Sequence, residues 1–134
     1  MTRAELEALA VRVEAEEPSE ELDADVLLAV GWPIPHETQR NWSDALSIRE
    51  YAIRCAAHPA YQPTRSRDAA AAIEPEGWRT WAMWDHGNGV DFTLAHVSLK
   101  AIAKGKAKDE PCARTAAAIR AIAMEKADDD VRST

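Results

Sequence analysis

The sequence of 134 residues contains no run of apolar residues long enough to cross a bilayer, which takes roughly 18 to 20 of them. Its first residues, Met1 to Glu5, carry one basic and one acidic side chain and lack the basic and then apolar pattern of a signal peptide. Two cysteines, Cys55 and Cys112, are too few for the disulfide framework of a small secreted protein. These absences predict a cytoplasmic protein with free thiols and no membrane association.

Catalytic signatures are also sparse. The sequence has neither the glycine-rich loops that cradle phosphates nor the G-x-S-x-G turn that presents a nucleophilic serine. Cys55 and His58 stand three residues apart, so an imidazole could activate a thiol or both could bind one metal ion. A metal site takes about four ligands, however, and Cys112 and His36 would have to arrive from distant segments. We therefore expect a buried Cys55, no metal or cofactor, and no enzymatic activity.

A second acid–base candidate surrounds a glycine-containing turn. Asp85 and His86 could meet His96 across a hairpin, and Asp85 and Asp91 could approach a cation together. The spacing of the two aspartates does not fit a calcium loop. We expect ordinary surface roles for these residues.

The net charge of −7 is confined to the first segment of the chain. Residues 1–30 contain nine acidic and two basic residues, whereas residues 31–134 contain 14 of each. Such an acidic arm favours encounter with a basic surface on another protein and makes nucleic acid an unfavourable partner. The alternative is a solvated helix face that keeps the protein in solution. The candidate partner-binding residues of the arm are Glu14, Glu16, Glu17, Glu20, Glu21 and Asp23.

The acidic segment predicts two helices. Thr2 and Glu5 form a capping box at the start of the first helix, which Pro18 ends. Ser19 caps the second helix, and Gly31 ends it. The predicted apolar faces are Leu6, Leu9, Ala10 and Val13 in the first helix, and Leu22, Val26, Ala29 and Val30 in the second.

The next segments alternate between loops and short helices. Residues 31–42 hold two prolines between tryptophans and predict a loop anchored on the body by aromatic side chains. A third helix is expected from Ser43 to Ala57, followed by an irregular stretch over 59–66. Asp68 to Glu74 predicts a helix of two turns with Ser66 as its cap.

Alternation of side chains over Gly77–Asp85 predicts a strand with Trp78 and Trp84 on one face and Trp81 on the other. The three tryptophans also recur at a helical spacing, but glycines at both boundaries favour a strand. A glycine-rich turn then leads into Val90–Val97, so the two segments predict an antiparallel hairpin.

A third strand is predicted over Leu99–Ala107. Lysines alternate there with small residues, which is typical of an edge strand that resists aggregation. With Trp81 and Phe92 nearby, the same stripe could instead follow a nucleic-acid backbone. The acidic balance of the chain works against that alternative. The lysines of the stripe are Lys100, Lys104, Lys106 and Lys108.

A final helix is predicted to start at Asp109 and Pro111. Three consecutive aspartates after Ala127 place negative charge where the helix dipole disfavours it, so the tail over 128–134 is expected to fray. The apolar face of this helix comprises Cys112, Ala113, Ala116, Ile119, Ile122 and Ala123.

The tryptophans carry an unusual share of the apolar bulk, since the sequence has 27 alanines and one phenylalanine. Burying indoles on both faces of one strand requires helices on both sides of the sheet, and we expect such a sandwich to bury Trp78, Trp81 and Trp84. The alternative is an exposed aromatic patch that serves as a binding hot spot. The candidates for that patch are Trp32, Trp42 and Trp81.

The order of these segments is similar to that of a known family. The stretch HPAYQPTRSRDAAAAIEPEGWRTWAMWDHGNG, with CARTAAAIRAIA as the last helix, resembles the phage ABA sandwich domain proteins of bacteriophages and prophages. The resemblance covers about residues 58–127, and Gly31-Trp32 resembles part of the front extension of such proteins. It implies a small α+β phage protein and carries over no catalytic residues.

These patterns predict an α+β fold, a helix-sheet-helix sandwich with a small three-stranded antiparallel sheet and N-terminal helices. An acidic helical region over 1–57, a body over 58–127 and a tail over 128–134 are expected to form one compact domain.

The expected function is that of a non-enzymatic phage accessory protein that binds a host or phage protein with a basic surface. Inhibition of a host defence complex, in the manner of an anti-CRISPR, is the sharpest form of this hypothesis. The alternatives are a nucleic-acid-binding module that uses the Lys100–Lys108 stripe and a small metal- or cysteine-dependent enzyme. A homodimer is compatible with either binding hypothesis.

Overall fold

Five α-helices and three β-strands lie in residues 1–32 and 45–132, the part of the chain that the computed structural model describes. The α+β class is confirmed. The helices are α1 (Arg3–Ala15), α2 (Glu20–Val30), α3 (Ala45–Cys55), α4 (Arg67–Ala72) and α5 (Glu110–Arg132), with a 3-10 turn at Pro59–Tyr61. The strands are β1 (Trp78–Asp85), β2 (Val90–His96) and β3 (Ala101–Ala107).

Short polar side chains start the helices at the predicted caps. The hydroxyl of Thr2 accepts the N–H of Glu5 at 3.1 Å, and the hydroxyl of Ser19 accepts the N–H of Leu22 at 3.1 Å. Gly31 ends α2 with a φ of 71°, a left-handed conformation that glycine adopts without steric cost. The caps of α4 and α5 are Ser66 and Asp109.

Three helices differ in their bounds from the sequence prediction, and α4 runs from Arg67 to Ala72 rather than from Asp68 to Glu74. α3 ends at Cys55, two residues before the predicted end, and its predicted first residue, Ser43, lies outside the described residues. α5 continues past Ala127 to Arg132, and the fraying predicted for residues 128–134 stays a prediction. Charge at a helix C-terminus costs only about 0.3 to 1 kcal/mol per residue, too little to stop a helix with a buried preceding face. No helix within residues 1–32 and 45–132 combines the length and apolarity needed to cross a bilayer.

The three strands form an antiparallel meander in the order β1-β2-β3. Trp78 pairs with His96 at one end of the first hairpin, and Asp85 pairs with Val90 at the turn. The predicted hairpin and the predicted third strand are therefore confirmed.

The core lies around α5, which packs on β2 and β3 with one side and on α1 and α4 with others. Small residues permit the close approach of helix and sheet. A Cβ atom on Gly105 would overlap the carbonyl oxygen of Ala113 and would lie 2.8 Å from the amide nitrogen of Ala117. Because α1 contributes Leu6 and Val13 to the same core, residues 1–57 contain helices that belong to the body.

A β-bulge at Trp81 breaks the alternation of side chains in β1. Thr80 pairs with Leu94 and Ala82 pairs with Thr93, so Trp81 has no partner residue in β2. The extra residue exchanges the two faces of the strand beyond it.

The bulge separates the tryptophans of β1. Trp84 lies opposite Asp91 and therefore on the sheet face that points away from α5, whereas Trp78 lies on the core face. The prediction that Trp78 and Trp84 share a face is wrong. Trp78 is 6% exposed, but Trp81 is 72% and Trp84 is 65% exposed, so the expectation that all three are buried is wrong for two of them.

Candidate interaction surface

Glu14 is part of the internal structure of the protein. Its carboxylate accepts two hydrogen bonds of 2.7 Å from the guanidinium of Arg120 and one of 2.8 Å from the backbone N–H of Lys106. Burial alone would raise the pKa of Glu14, but these hydrogen bonds hold it below its ordinary value. Its oxygens join α1 to α5 and β3, so Glu14 has a structural role besides the partner contact predicted for it.

Asp23 is unavailable to a partner, since its side chain is completely buried. One carboxylate oxygen accepts the backbone N–H of Thr64 at 2.7 Å and its hydroxyl at 2.6 Å. The other oxygen accepts a hydrogen bond of 2.8 Å from Arg65. These bonds fasten α2 to the segment before α4, and the prediction that Asp23 binds a partner is wrong for this reason.

The remaining four acidic candidates are exposed around the connection between α1 and α2. Glu16 pairs with Arg12 at 2.8 Å, and Glu17 pairs with Lys108 at 2.6 Å, but both carboxylates keep about half or more of their surface in solvent. The attraction within exposed ion pairs of this kind is weak, because both charges remain hydrated. We call Glu16, Glu17, Glu20 and Glu21 the acidic corner.

The aromatic candidates differ in their accessibility. Trp32 is half-buried and packs against the hydrophobic core, so it is an anchor of the body. Trp42 lies outside the described residues. Trp81 is exposed, as the hot-spot alternative requires. Trp84 is exposed as well, although the sequence predicts that it is buried in the core.

The face of the sheet opposite α5 carries exposed side chains among the described residues. The strand register places Trp84, Asp91 and Lys106 in one row across this face. The apolar side chain of Ile102 is 50% exposed at its far corner. We call this surface the open face; it consists of Arg79, Ala82, Trp84, Asp91, Thr93, Ala95, Ile102, Lys104 and Lys106.

The open face has a net positive charge, although the net charge of the whole protein is negative. Lys104, Lys106 and Arg79 are exposed there, whereas Asp91 is its only acidic residue. The predicted stripe is only partly continuous, since Lys108 pairs with Glu17 and Lys100 lies in the turn before β3. The predicted association of the lysines with Phe92 is wrong, because Phe92 is fully buried on the other face. Because of the bulge, Trp84 rather than Phe92 lies on the same face of the sheet as these lysines.

The acid–base candidates do not come together as a group. His86 contacts Asp91 at 2.7 Å, and this hydrogen bond lowers the pKa of Asp91. Asp85 accepts the N–H of Gly87 at 2.8 Å and so shapes the turn. His96 packs its ring against Trp78 at the opposite end of the hairpin, roughly 20 Å away by strand geometry.

The cysteines and His58 lie in separate structural environments. His58 accepts the N–H of Ala60 at 3.3 Å and starts the 3-10 turn. Cys55 is half-buried rather than buried, and both thiols are free, as predicted. The thiol of Cys112 donates to the carbonyl oxygen of Thr64 at 3.3 Å, and burial raises its pKa to about 12. Within the described residues, no three His, Cys, Asp or Glu side chains are grouped to hold a metal ion.

No protein-family model, curated protein or solved structure matches the chain. The resemblance to the phage ABA sandwich domain proteins stays a prediction. The assignment of a role therefore depends on the surfaces described above.

Proposed function

We propose that this chain is a non-catalytic accessory protein that acts by binding another protein on the open face of its sheet. The observation that carries the proposal is the exposure of Trp84 on this face, 65%, beside Trp81 at the bulge, which is 72% exposed. Tryptophan is the residue type most enriched at binding hot spots, and it provides a large apolar contact at a small entropic cost.

The surroundings of Trp84 define the chemistry of the partner. Ile102 adds a second exposed apolar contact on the same face, and Arg79, Lys104 and Lys106 add positive charge around it. A protein surface with an apolar centre and acidic groups at its edge is complementary to this arrangement. This assignment differs from the acidic arm that the sequence suggests, because the bulge at Trp81 brings a tryptophan to the basic face.

Capture of partners by the tagged protein from a bacterial lysate, at low and at moderate salt, tests the proposal. We expect one protein in stoichiometric amount with the wild type and its loss with Trp84→Ala. The matched control is Val11→Ala, which removes an exposed apolar side chain from α1. Equal capture by the two variants would contradict the proposal. So would capture of single-stranded nucleic acid that Lys104→Gln and Lys106→Gln together abolish.

The acidic corner supports a second candidate, a contact with the basic surface of a nucleic-acid-binding host complex. Four carboxylates are exposed within six consecutive residues there, as the inhibitor hypothesis requires. Combined replacement of Glu16, Glu17, Glu20 and Glu21 by glutamine should then abolish capture without unfolding the protein. Glu14 and Asp23 must stay unchanged in this variant, because their carboxylates hold the fold together. Unchanged capture would remove this candidate.

A further inference from the structure

The two edge strands of the sheet, β1 and β3, differ in how the rest of the protein covers their outer edges. On the outer edge of β3, the N–H of Lys106 donates to Glu14 at 2.8 Å, and the carbonyl of Lys104 accepts from Arg120 at 2.9 Å. α1 also contacts this strand. The edge of β3 is therefore closed by side chains from two helices.

The outer edge of β1 has no such cover within residues 1–32 and 45–132. β1 is hydrogen-bonded to β2 along one side, and no described side chain or strand is bonded to its other side. All seven residues from Arg79 to Asp85 are exposed, and three of them are large and apolar: Trp81, Met83 and Trp84. A long, exposed, apolar edge strand is a template for pairing with another strand.

We propose that β1 pairs antiparallel with β1 of a second copy, so that two sheets of three strands join into one sheet of six around a two-fold axis. The inference rests on the proposed function in one respect, that this region of the surface binds protein. It names another copy of the chain as the occupant of the edge.

Charge favours the antiparallel arrangement. β1 carries a positive charge near its start at Arg79 and a negative charge at its end at Asp85, and both are exposed. A parallel copy in register would place Arg79 beside Arg79 and Asp85 beside Asp85, whereas an antiparallel copy separates these like charges.

The bulge at Trp81 selects a register for the pair. It puts Arg79 and Trp84 on the same face, so a face-matched antiparallel register lets each Arg79 lie against Trp84 of the other copy. The open faces of the two copies then form one continuous surface.

The test is the mass of the full chain in solution, measured by sedimentation equilibrium over a range of concentrations. We expect a dimer for the wild type and a monomer for Trp81→Lys, which places a charge on the edge at a side chain that is already 72% exposed. The matched control is Val97→Lys, since Val97 is 81% exposed but lies beyond β2 in a turn; it should remain a dimer. Arg79→Gln should raise the dimer dissociation constant roughly tenfold, through the loss of two cation–π contacts.

A wild-type chain that stays monomeric at every concentration would overturn the pairing, as would a dimer that persists in Trp81→Lys with an unchanged circular dichroism spectrum. Capture of a partner distinguishes this inference from the proposed function. A monomer whose capture of protein depends on Trp84 would refute the β1 pairing and leave the proposed function standing. A dimer that captures no other protein would refute the proposed function and leave the β1 pairing standing.

Discussion

Glu14 and Arg120 lie 106 residues apart in the sequence and meet through two nitrogen–oxygen contacts of 2.7 Å each. The same guanidinium reaches Glu7 at 2.9 Å and the backbone carbonyl of Lys104 at 2.9 Å. One arginine therefore joins α1, α5 and the edge of β3. The acidic excess of the N-terminal segment is in this respect a structural complement to basic residues of the body.

Replacement of Glu14 by glutamine should destabilise the protein by about 1 to 2 kcal/mol, since it breaks a two-point ion pair that is mostly shielded from solvent. Urea denaturation at neutral pH measures this loss. The matched control is Glu17→Gln, whose exposed pair with Lys108 should contribute nothing measurable. Equal stabilities of the two variants would refute the structural role of Glu14.

The pH dependence of stability should differ between the wild type and Glu14→Gln. The pKa of Glu14 is lower in the folded protein than its ordinary value, because the hydrogen bonds from Arg120 and Lys106 outweigh its burial. Its contribution is therefore present above about pH 4 and is lost as the pH falls through the folded pKa. Denaturation midpoints between pH 7 and pH 3 should fall more steeply in the wild type than in Glu14→Gln. Parallel pH profiles would contradict this assignment.

Asp23→Asn should cost about 2 to 4 kcal/mol, because the amide keeps one acceptor oxygen and turns an NH2 group towards the donors of either Thr64 or Arg65. Thermal unfolding followed by circular dichroism measures the loss. Asp25→Asn is the matched control on the same helix, since Asp25 pairs with Arg12 and Arg49, which are about half exposed. A smaller loss for Asp23→Asn than for the control would show that the buried network is dispensable.

Gly105→Ala should destabilise the protein by about 1 to 3 kcal/mol or more, because the added methyl group meets the backbone of α5. Backbone atoms of Ala113 and Ala117 cannot move aside as a flexible side chain would. Gly89→Ala is a milder control, since its Cβ would lie 3.3 Å from the carbonyl oxygen of Ala107. Urea denaturation of the two variants tests whether Gly105 is required because the helix and the sheet are in close contact there. Equal losses of stability would contradict this explanation.

Local signals in the sequence predicted the elements, and long-range contacts explain what it missed. Thr2 and Ser19 act within three residues of the amides they cap, so the sequence alone identifies them. The bulge at Trp81 depends on how β1 pairs with β2, and no residue near Trp81 signals it. The face occupied by Trp84 could not be predicted for this reason.

The candidate site was harder to predict than the fold, because accessibility depends on partners distant in the chain. Glu14 and Glu17 are similar in the sequence, yet one meets Arg120 beside the sheet and the other meets Lys108 in solvent. Phe92 and Lys104 were placed together by proximity along the hairpin, but the register puts them on opposite faces. Composition located the charge without identifying which carboxylates stay exposed.

The two thiols should differ sharply in reactivity. Cys112 is buried, donates to the carbonyl oxygen of Thr64, and has its pKa raised to about 12 by burial, so almost no thiolate forms near neutral pH. Cys55 is half-buried at the end of α3 and accessible to a small reagent. Titration of the native protein with an aromatic disulfide at pH 8 should modify one thiol rapidly, and urea should release the second. Cys55→Ser should abolish the rapid phase; rapid modification that persists in this variant would show that Cys112 is accessible in the folded protein.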